Sequence, residues 1–456
     1  MNENAPLIIG ISGIRGIVDQ SLNPQVVRRF AAAFATWLRP RARVVLARDT
    51  RPSGAAFAQA AAAALQDAGC EVLELGKSTT PTAKLMVLEE QADGAIIITA
   101  SHNPAAWNGL KLIRADGIFL NAAQSRQVEG IFHANEFRHG GGGSLRKLDP
   151  DTCRRRHLKR LLTHVDVEAI RGARLAVSAD LCNGAGALLI PALLDELGVK
   201  SVCLNSEPNG LFAHDPEPVA ANLAALCQSV REHSSAIGFA VDPDADRVAL
   251  VDERGTAVGE DYTLALAVQA RSARQQGAVV ITLSTSQTVS DAARAHNCPV
   301  MLTPVGEVHV VEKMLQENAL IGGEGNGGVI LTEVDPGRDA AVGLAIALEA
   351  LAHAGQPLTQ LINALPRYAI EKRKVTCAPD ELEHAVQRLR QFHRRALVHP
   401  VKDGSKLYLS GSLECPWIHL RASNTEPVVR IMAESTSAEE AKKLCDEVEE
   451  IIAQKR

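Results

Sequence analysis

The feature that most constrains this chain is the alternation of short, unbroken apolar runs with alanine-rich stretches. The runs occupy residues 43–47, 95–98, 174–178 and 278–282, and alanine-rich or helical stretches lie at 55–68, 188–197 and 289–296. Strands without polar alternation are typically buried on both faces, which favours parallel sheets covered by helices. The sequence therefore predicts an α/β protein built from layers of largely parallel sheet and helix.

The length of 456 residues is enough for three or four domains. A glycine run at 140–143, in the segment HGGGGS, predicts a flexible linker, and further breaks are expected near 255–260 and 366–374. After the last break, short strands lead into a closing amphipathic helix. We expect three similar α/β domains with mixed, largely parallel sheets and a smaller α+β C-terminal domain, at 1–150, 151–257, 258–370 and 371–456.

Composition excludes several classes of protein. The formal net charge is −5 and aromatic residues make up 3%, so a generally basic nucleic-acid binder is excluded. No apolar window approaches 18 residues, and the start, MNEN, lacks the pattern of a signal peptide. The nine cysteines form no CxxC pair. We expect a reduced, cytoplasmic enzyme, a monomer or homodimer, with neither a nucleic-acid nor a membrane partner.

The first candidate loop is TASHNP at residues 99–104, directly after a predicted strand. Ligands in open α/β sheets bind at the carboxyl ends of strands, so the hydroxyl of Ser101 beside His102 is well placed for chemistry. The same residues also suit a tight turn with no ligand. The segment is not a GxSxG elbow, which disfavours a serine hydrolase.

The second candidate is DPDADR at residues 242–247, which also follows a predicted strand. Three carboxylates at alternate positions repel one another, so Asp242, Asp244 and Asp246 predict a cation. An EF-hand is excluded because Arg247 stands where that loop needs glycine, and because a strand follows. Three oxygen ligands with open positions suit Mg²⁺ shared with a phosphate. The alternative is a solvated acidic turn.

Three further segments carry candidate binding residues. The run GGEGNGG at 322–328 contains Glu324 and Asn326; a strand follows it, which excludes a dinucleotide fingerprint but leaves a polyol site or a ligand-free turn. The segment RASNTEP at 421–427 offers a guanidinium, hydroxyls and an amide to a phosphate. The segments at 10–16 and 47–53 place arginines, Arg15 among them, in turns next to strands.

Taken in this order, the motifs resemble the α-D-phosphohexomutase family over about residues 7–433. The family's serine loop corresponds to 99–104, and its NG-x-K continuation corresponds to 108–111. Its DxDxDR metal loop and its RxSxTEP phosphate loop correspond to 242–247 and 421–427. The resemblance implies four domains around a central cleft, with one loop from each domain.

The resemblance also implies roles for individual residues. Ser101 would carry a phosphoryl group, and Asp242, Asp244 and Asp246 would hold Mg²⁺ against it. His102 and Lys111 match positions near the transferred group, and Arg15 and Arg247 would neutralise the phosphoserine. Glu324 and Asn326 would contact the sugar. The substrate phosphate would be held by four residues of the last loop: Arg421, Ser423, Asn424 and Thr425. The reaction implied is exchange between a hexose 6-phosphate and 1-phosphate through a bound sugar 1,6-bisphosphate.

The sequence departs from the family pattern at two places. Pro243 replaces a glycine of the metal loop, without removing a carboxylate. The sugar loop keeps Glu324 of the pattern GE-x-S-(G/A)-H, but has Asn326 for the serine and Gly328 for the histidine. This variant resembles the branch acting on glucosamine phosphate, with mannose or glucose phosphate as the alternative. A haloacid-dehalogenase-like phosphohydrolase, with Asp242 as nucleophile and Asp244 as acid, is a further alternative.

Overall fold

In a computed structural model of the chain, the structure describes residues 6–11, 13–376, 379–401, 404–422 and 428–454. These residues form four sheets with helices packed against them. Three of the sheets mix parallel and antiparallel strands, and the last is antiparallel. The predicted fold class, α/β layers with an α+β tail, is confirmed.

The first sheet has the order β1-β2-β6-β5-β3-β4-β7. Its strands are β1 (Ile8–Gly10), β2 (Gly13–Ile17), β3 (Arg43–Arg48), β4 (Glu71–Lys77), β5 (Gly94–Ile98), β6 (Trp107–Arg114) and β7 (Ser144–Lys147). Its helices are α1 (Pro24–Trp37), α2 (Gly54–Asp67), α3 (Thr80–Glu89) and α4 (Ala122–Ala134). Every residue of β5 is buried, as the unbroken apolar run predicts, because β5 has neighbouring strands on both sides.

The second and third sheets repeat one pattern, with orders β11-β10-β8-β9 and β13-β12-β14-β15. The second unit comprises α5 (Pro150–Leu162), α6 (Val167–Ala173), β8 (Ala176–Asp180), α7 (Ile190–Glu196), β9 (Lys200–Leu204), α8 (Ala224–Glu232), β10 (Ile237–Val241) and β11 (Val248–Val251). The third comprises α9 (Glu260–Ser272), β12 (Val279–Thr282), α10 (Gln287–Arg294), β13 (Val300–Thr303), α11 (Glu307–Glu317), β14 (Ile321–Glu324), β15 (Gly328–Ile330), α12 (Ala340–Ala354) and α13 (Leu358–Asn363).

The last sheet is antiparallel, with the order β16-β20-β19-β18-β17. Its elements are β16 (Ala369–Thr376), α14 (Pro379–Phe392), β17 (Leu397–Val401), β18 (Gly404–Tyr408), β19 (Trp417–Ala422), β20 (Val428–Ser435) and α15 (Ala438–Ala453). Apolar residues of α14 and α15, such as Leu389 and Val448, form one core with the sheet. This is the α+β tail that the sequence predicts.

The three candidate loops of the α/β sheets occupy equivalent positions. In each sheet, a strand that pairs in parallel on one side turns back into an antiparallel partner on the other. The serine loop joins β5 to β6, the aspartate loop joins β10 to β11, and the glycine-rich loop joins β14 to β15. The candidate site residues of these loops therefore come from the same place in three similar units.

The α/β units share their apolar cores. One cluster joins residues of the second and third units, for example Leu193, Phe239 and Leu344. Another joins the first unit to the third, where Ile97 and Val308 belong to one cluster. Burying each such side chain stabilises the fold by roughly 1.5–3 kcal/mol, so these units hold one another in place.

The glycine run that composition predicts to be a linker lies against the first sheet. The amides of Gly140 and Gly141 both donate to the carbonyl of Asp67, and a Cβ at Gly143 would lie 2.6 Å from the carbonyl oxygen of Cys70. The chain then continues into β7, which pairs in parallel with β4. Close backbone approach thus explains the glycines at 140 and 143. Within the described ranges, no helix has the length and apolar character needed to cross a membrane.

Candidate active site

Ser101 is held in a tight turn at the end of β5. Its φ is +50°, a left-handed value that is uncommon outside glycine, and 1% of its surface is exposed. The Thr99 hydroxyl accepts from the Ser101 amide at 2.9 Å. The Ser101 Oγ donates to Asp242 Oδ2 at 3.0 Å and lies 3.3 Å from His102 Nδ1. The structure therefore brings the serine loop and the aspartate loop into direct contact.

Arg51 anchors the turn that carries Ser101. Its Nη2 donates to the carbonyls of Ser101 at 2.7 Å and Asn103 at 2.6 Å, and its Nη1 donates to those of Pro104 and Trp107. Its Nε donates to the buried carboxylate of Asp49. Every guanidinium donor is thus used within a buried site. The sequence marks Arg51 only as one of several arginines in turns.

We expect Arg51→Met to lower the free energy of unfolding by about 3–5 kcal/mol, because it leaves the buried Asp49 carboxylate without its cation. Chemical denaturation measures the change. The matched control is Arg39→Met, because the Arg39 side chain also pairs with an aspartate but is 65% exposed. The control should unfold like the parent. Equal stability of the two variants would contradict the anchoring role of Arg51.

Some carboxylate oxygens of the three aspartates are hydrogen-bonded within the protein and others are not. Asp242 Oδ1 accepts from the amides of Asp246 and Arg247, and Asp244 Oδ2 accepts from Thr80 Oγ1 at 2.5 Å. Lys111 Nζ donates to Asp244 Oδ2 at 2.6 Å and to Asp246 Oδ2 at 2.8 Å. Asp244 Oδ1 and Asp246 Oδ1 are buried and have no hydrogen-bond partner among the described residues.

This donor set fits a divalent cation. One carboxylate oxygen from each of Asp242, Asp244 and Asp246 lies within 4.8 Å of the others. Buried carboxylate oxygens without partners are costly unless a cation or hydrogen-bond donor meets them. Oxygen ligands on a rigid loop are what Mg²⁺ prefers. The loop is supported from outside by Thr80, at the start of α3, which the sequence did not mark.

Neighbouring charges shift the pKa values of the aspartate loop in opposite directions. Burial together with Asp246 and Asp244 raises the pKa of Asp242 well above its ordinary value. Burial opposes ionisation of Asp246, but Arg338, Lys111 and Arg247 overcome it and hold the pKa of Asp246 well below its ordinary value. Burial likewise disfavours the charged form of Lys111, yet Asp244 and Asp246 raise its pKa. Lys111 is therefore a charged residue of this cluster.

Two arginines lie next to the loops that carry the serine and the aspartates. Arg15 Nη1 donates to Asn103 Oδ1 at 2.8 Å, and burial followed by the charge of Arg247 lowers the pKa of Arg15 to about 10. The Arg247 side chain is 12% exposed, and its Nε has no hydrogen-bond partner among the described residues. Burial, then Arg247 and Arg15, lowers the pKa of His102 to about 2. His102 is therefore neutral, and the charges of Arg15 and Arg247 make this environment positive and suited to an anion.

The glycine-rich loop places Glu324 next to the aspartate loop. Glu324 Oε1 accepts from the amide of Gly306 at 3.1 Å, and Oε2 accepts from Arg338 Nη1 at 2.7 Å. Arg338 Nη2 also donates to Asp246 Oδ2 at 2.8 Å. Asn326 Oδ1 accepts from the amide of Gly328 within the same loop. Arg338 was not identified from the sequence, where it stands in the segment PGRD at 336–339.

Arg421 lies at the end of β19, in the hairpin that connects to β20. The predicted phosphate-binding residues Ser423, Asn424 and Thr425 lie outside the described residues. The sheet that carries Arg421 is docked on the third unit, where Glu434 accepts from the hydroxyl of Ser286 at 2.5 Å and the amide of Gln287 at 2.9 Å. Lys406 Nζ donates to the carbonyl of Leu283 across the same contact.

Comparison with protein families matches all four units. The phosphoglucomutase/phosphomannomutase alpha/beta/alpha domains I, II and III match residues 6–139, 155–255 and 259–368. The C-terminal domain of the same family matches residues 374–451.

Curated relatives and solved structures match over nearly the whole chain. A phosphoglucomutase/phosphomannomutase of Thermococcus kodakarensis is 34% identical over 95% of this chain and 96% of its own. A phosphoglucosamine/phosphogalactosamine mutase of Sulfurisphaera tokodaii is 31% identical over 98% and 99%. A Burkholderia thailandensis phosphoglucomutase/phosphomannomutase family protein shares the fold, with a TM-score of 0.81, 24% identity and 97% coverage of both chains. An Aspergillus fumigatus N-acetylphosphoglucosamine mutase, solved with GlcNAc-6P and magnesium, has a TM-score of 0.61 and 16% identity over 98% and 96%.

Fold and sequence likeness together define an isomerase that transfers phosphate within a sugar. Such an enzyme needs a site that handles phosphate, and the buried serine, carboxylates and cations described above lie close to one another. The chain belongs to the phosphoglucomutase/phosphomannomutase family, the α-D-phosphohexomutases. The resemblance drawn from the motifs is therefore confirmed.

Proposed function

We propose that this phosphohexomutase interconverts hexose 6-phosphate and hexose 1-phosphate through a phosphorylated Ser101, with glucosamine phosphate as the preferred substrate. The observation that carries the proposal is the 3.0 Å contact of Ser101 Oγ with Asp242 Oδ2, at the edge of a buried three-aspartate group. A serine in this place can hold a phosphoryl group between candidate metal ligands on one side and arginines on the other.

In the first half-reaction, the free hydroxyl oxygen of the hexose phosphate attacks the phosphorus of phospho-Ser101. The new O–P bond forms as the P–Oγ bond breaks, giving a sugar 1,6-bisphosphate and free serine. The net step moves the hydroxyl proton from the attacking oxygen to the departing Oγ. His102, whose Nδ1 lies 3.3 Å from Oγ and which burial, Arg247 and Arg15 keep neutral, is placed to accept a hydrogen bond from the newly formed serine hydroxyl. A second transfer from the other end of the turned intermediate restores the phosphoserine.

The residues present supply the electrostatics that phosphoryl transfer needs. Asp242, Asp244 and Asp246 would hold Mg²⁺, which supplies charge neutralisation at the phosphoryl oxygens when bound. Arg15 and Arg247 would neutralise the opposite side of the phosphoryl group. Lys111, held by Asp244 and Asp246, contributes a fixed positive charge. Its raised pKa argues for charge stabilisation by Lys111 in place of proton transfer.

The sugar 1,6-bisphosphate must bind in two opposite orientations, so that one of its phosphates is held while the other reacts. We assign that holding role to Arg421 with Ser423, Asn424 and Thr425, and the sugar contacts to Glu324 and Asn326. Glu324 and Asn326 can accept hydrogen bonds from hydroxyl or amino groups of a sugar. The Sulfurisphaera relative's name supports an amino sugar, and the Thermococcus relative's name supports glucose or mannose phosphate as the alternative.

A side-by-side assay tests the substrate assignment. Purified protein with Mg²⁺ and a priming sugar 1,6-bisphosphate is given the 6-phosphates of glucosamine, glucose and mannose. We expect the highest kcat/KM with glucosamine 6-phosphate. Equal or faster conversion of glucose and mannose phosphates would overturn the amino-sugar preference. Release of inorganic phosphate without any 1-phosphate would instead support the hydrolase alternative, which gives Ser101 no role.

Arg421→Ala is expected to raise the KM for the sugar phosphate by roughly 10- to 100-fold while kcat changes little. A charge-assisted hydrogen bond to the held phosphate exists in the ground state and the transition state alike. Steady-state kinetics separate the two constants. Arg388→Ala, on α14 of the same unit, is the control and should behave like the parent. A fall in kcat at unchanged KM would contradict the holding role of Arg421.

A further inference from the structure

Arg338 joins the glycine-rich loop to the aspartate loop. Its guanidinium contacts three carboxylates, one of them on α11. It lies 2.7 Å from Glu324 Oε2, 2.8 Å from Asp246 Oδ2 and 3.0 Å from Glu307 Oε2. Its side chain is 9% exposed. A planar guanidinium can meet several carboxylates at fixed angles, which a lysine cannot do. Arg338 therefore holds Glu324 and Asp246 in one arrangement relative to each other.

Gly328 leaves the space through which Arg338 passes. A Cβ at position 328 would lie 2.2 Å from Arg338 Cδ and 2.9 Å from Arg338 Cγ. These atoms are in the middle of a side chain fixed at its far end, so they cannot move aside at little cost. The backbone of Gly328 is not in the left-handed region, so its conformation is open to other residues. The close contact with Arg338 explains why glycine is needed there.

Backbone pairing fixes the position at which the Arg338 side chain passes over Gly328. Gly328 stands directly opposite Glu324 in the β14–β15 pair. Arg338 forms an isolated bridge with Ile330, and the amide of Asp339 donates to the carbonyl of Val329 at 2.9 Å. Arg338 thus lies alongside β15, and its side chain crosses Gly328 to reach Glu324. A histidine at 328, as the resembled pattern has, would begin with the same Cβ and would exclude Arg338.

We propose, resting on the function proposed above, that Arg338 is a positioning residue for the sugar: it fixes the carboxylate of Glu324 and ties it to Asp246. Gly328 and Arg338 then form one unit that replaces the serine-and-histidine form of the sugar loop. The chemical class concerned is the hydroxyl or amino group of the hexose that Glu324 contacts. Any side chain at 328 disables this unit by displacing Arg338.

A double-mutant cycle tests the proposal with Gly328→Ala, Arg338→Ala and the combined variant. We expect each single change to raise the KM for the sugar phosphate at least tenfold and to lower kcat by a smaller factor, since Arg338 also contacts the candidate metal ligand Asp246. The combined variant should have a KM within twofold of Arg338→Ala, because no guanidinium remains to be displaced. A KM in the combined variant equal to the product of the single effects would overturn the proposal, as would a parental KM in Gly328→Ala.

Thermal unfolding without metal or substrate gives a second reading of the same cycle. Gly328→Ala should lower Tm when Arg338 is present and leave it unchanged when residue 338 is alanine. The Tm comparison does not depend on mutase activity. An inactive parent protein would contradict the proposed function, and the Tm values would still test whether Arg338 packs across Gly328. If Arg338→Ala does not fold, Arg338→Lys replaces it. Lysine keeps the positive charge but lacks the planar guanidinium that contacts several carboxylates. We therefore expect a raised KM in Arg338→Lys. A parental KM would overturn the positioning role.

Discussion

Replacing Ser101 with alanine is expected to lower mutase turnover by about 10⁴-fold or more and to abolish covalent phosphorylation of the protein. Loss of the nucleophile in other enzymes that act through a covalent intermediate costs turnover on this scale. The nearby hydroxyl of Thr99 does not substitute, because it is engaged with Asp49. Steady-state assays and intact-protein mass spectrometry after incubation with a sugar 1,6-bisphosphate measure both effects.

Two further variants separate chemistry from folding. Ser101→Gly removes the same hydroxyl but suits the φ of +50° better than alanine does. Both variants should therefore be equally inactive, while the glycine variant unfolds at the higher temperature. Ser144→Ala, on the exposed strand β7, should keep full activity. A Ser101→Ala protein that isomerises normally would rule out the phosphoserine route.

Asp242→Asn is expected to lower turnover by about 10³-fold or more and to weaken Mg²⁺ binding. The amide oxygen of asparagine can still accept the two backbone hydrogen bonds that Asp242 Oδ1 accepts from Asp246 and Arg247. The conformation of the loop should therefore be kept. The change removes the negative charge next to Ser101 and one of three candidate ligands. Calorimetric Mg²⁺ titration and kinetics as a function of Mg²⁺ concentration measure the two effects.

Asp252→Asn is a closely matched control. Asp252 is also buried, and its Oδ1 also accepts from two backbone amides, those of Arg254 and Thr256. It lies outside the three-aspartate group. We expect parental Mg²⁺ affinity and activity in this variant. If Asp242→Asn and Asp252→Asn lose activity equally, the effect comes from the stability of the second unit and not from a metal site.

The sequence was informative about strands and loops because those features are local. An unbroken apolar run such as residues 94–98 marks a central strand, and a polar cluster directly after it marks a functional loop. Ser101 and Asp242 could each be found this way. Their contact depends on how the first two units pack, and the two residues are 141 positions apart. Before the structure, only the resemblance to the family predicted that Ser101 and Asp242 lie in one site.

The residues that sequence reasoning missed act through tertiary contacts. Arg51 donates to four carbonyls and a buried carboxylate, and a sequence does not show which carbonyls face an arginine. Thr80 stands at the start of a helix, where a hydroxyl has ordinary local uses. Arg338 lies 92 positions from Asp246. A signal was present in Gly328, since a glycine replacing a side chain beside a site leaves room for another group.

The most direct test of the phosphoserine route follows a labelled phosphoryl group. Protein with Mg²⁺ is incubated with a sugar 1,6-bisphosphate labelled in its phosphates, the labelled peptide is identified, and unlabelled hexose 6-phosphate is then added. We expect label on Ser101 that is chased into the sugar within the time of turnover. Label on Asp242, or label released only as inorganic phosphate, would contradict a phosphoserine mutase.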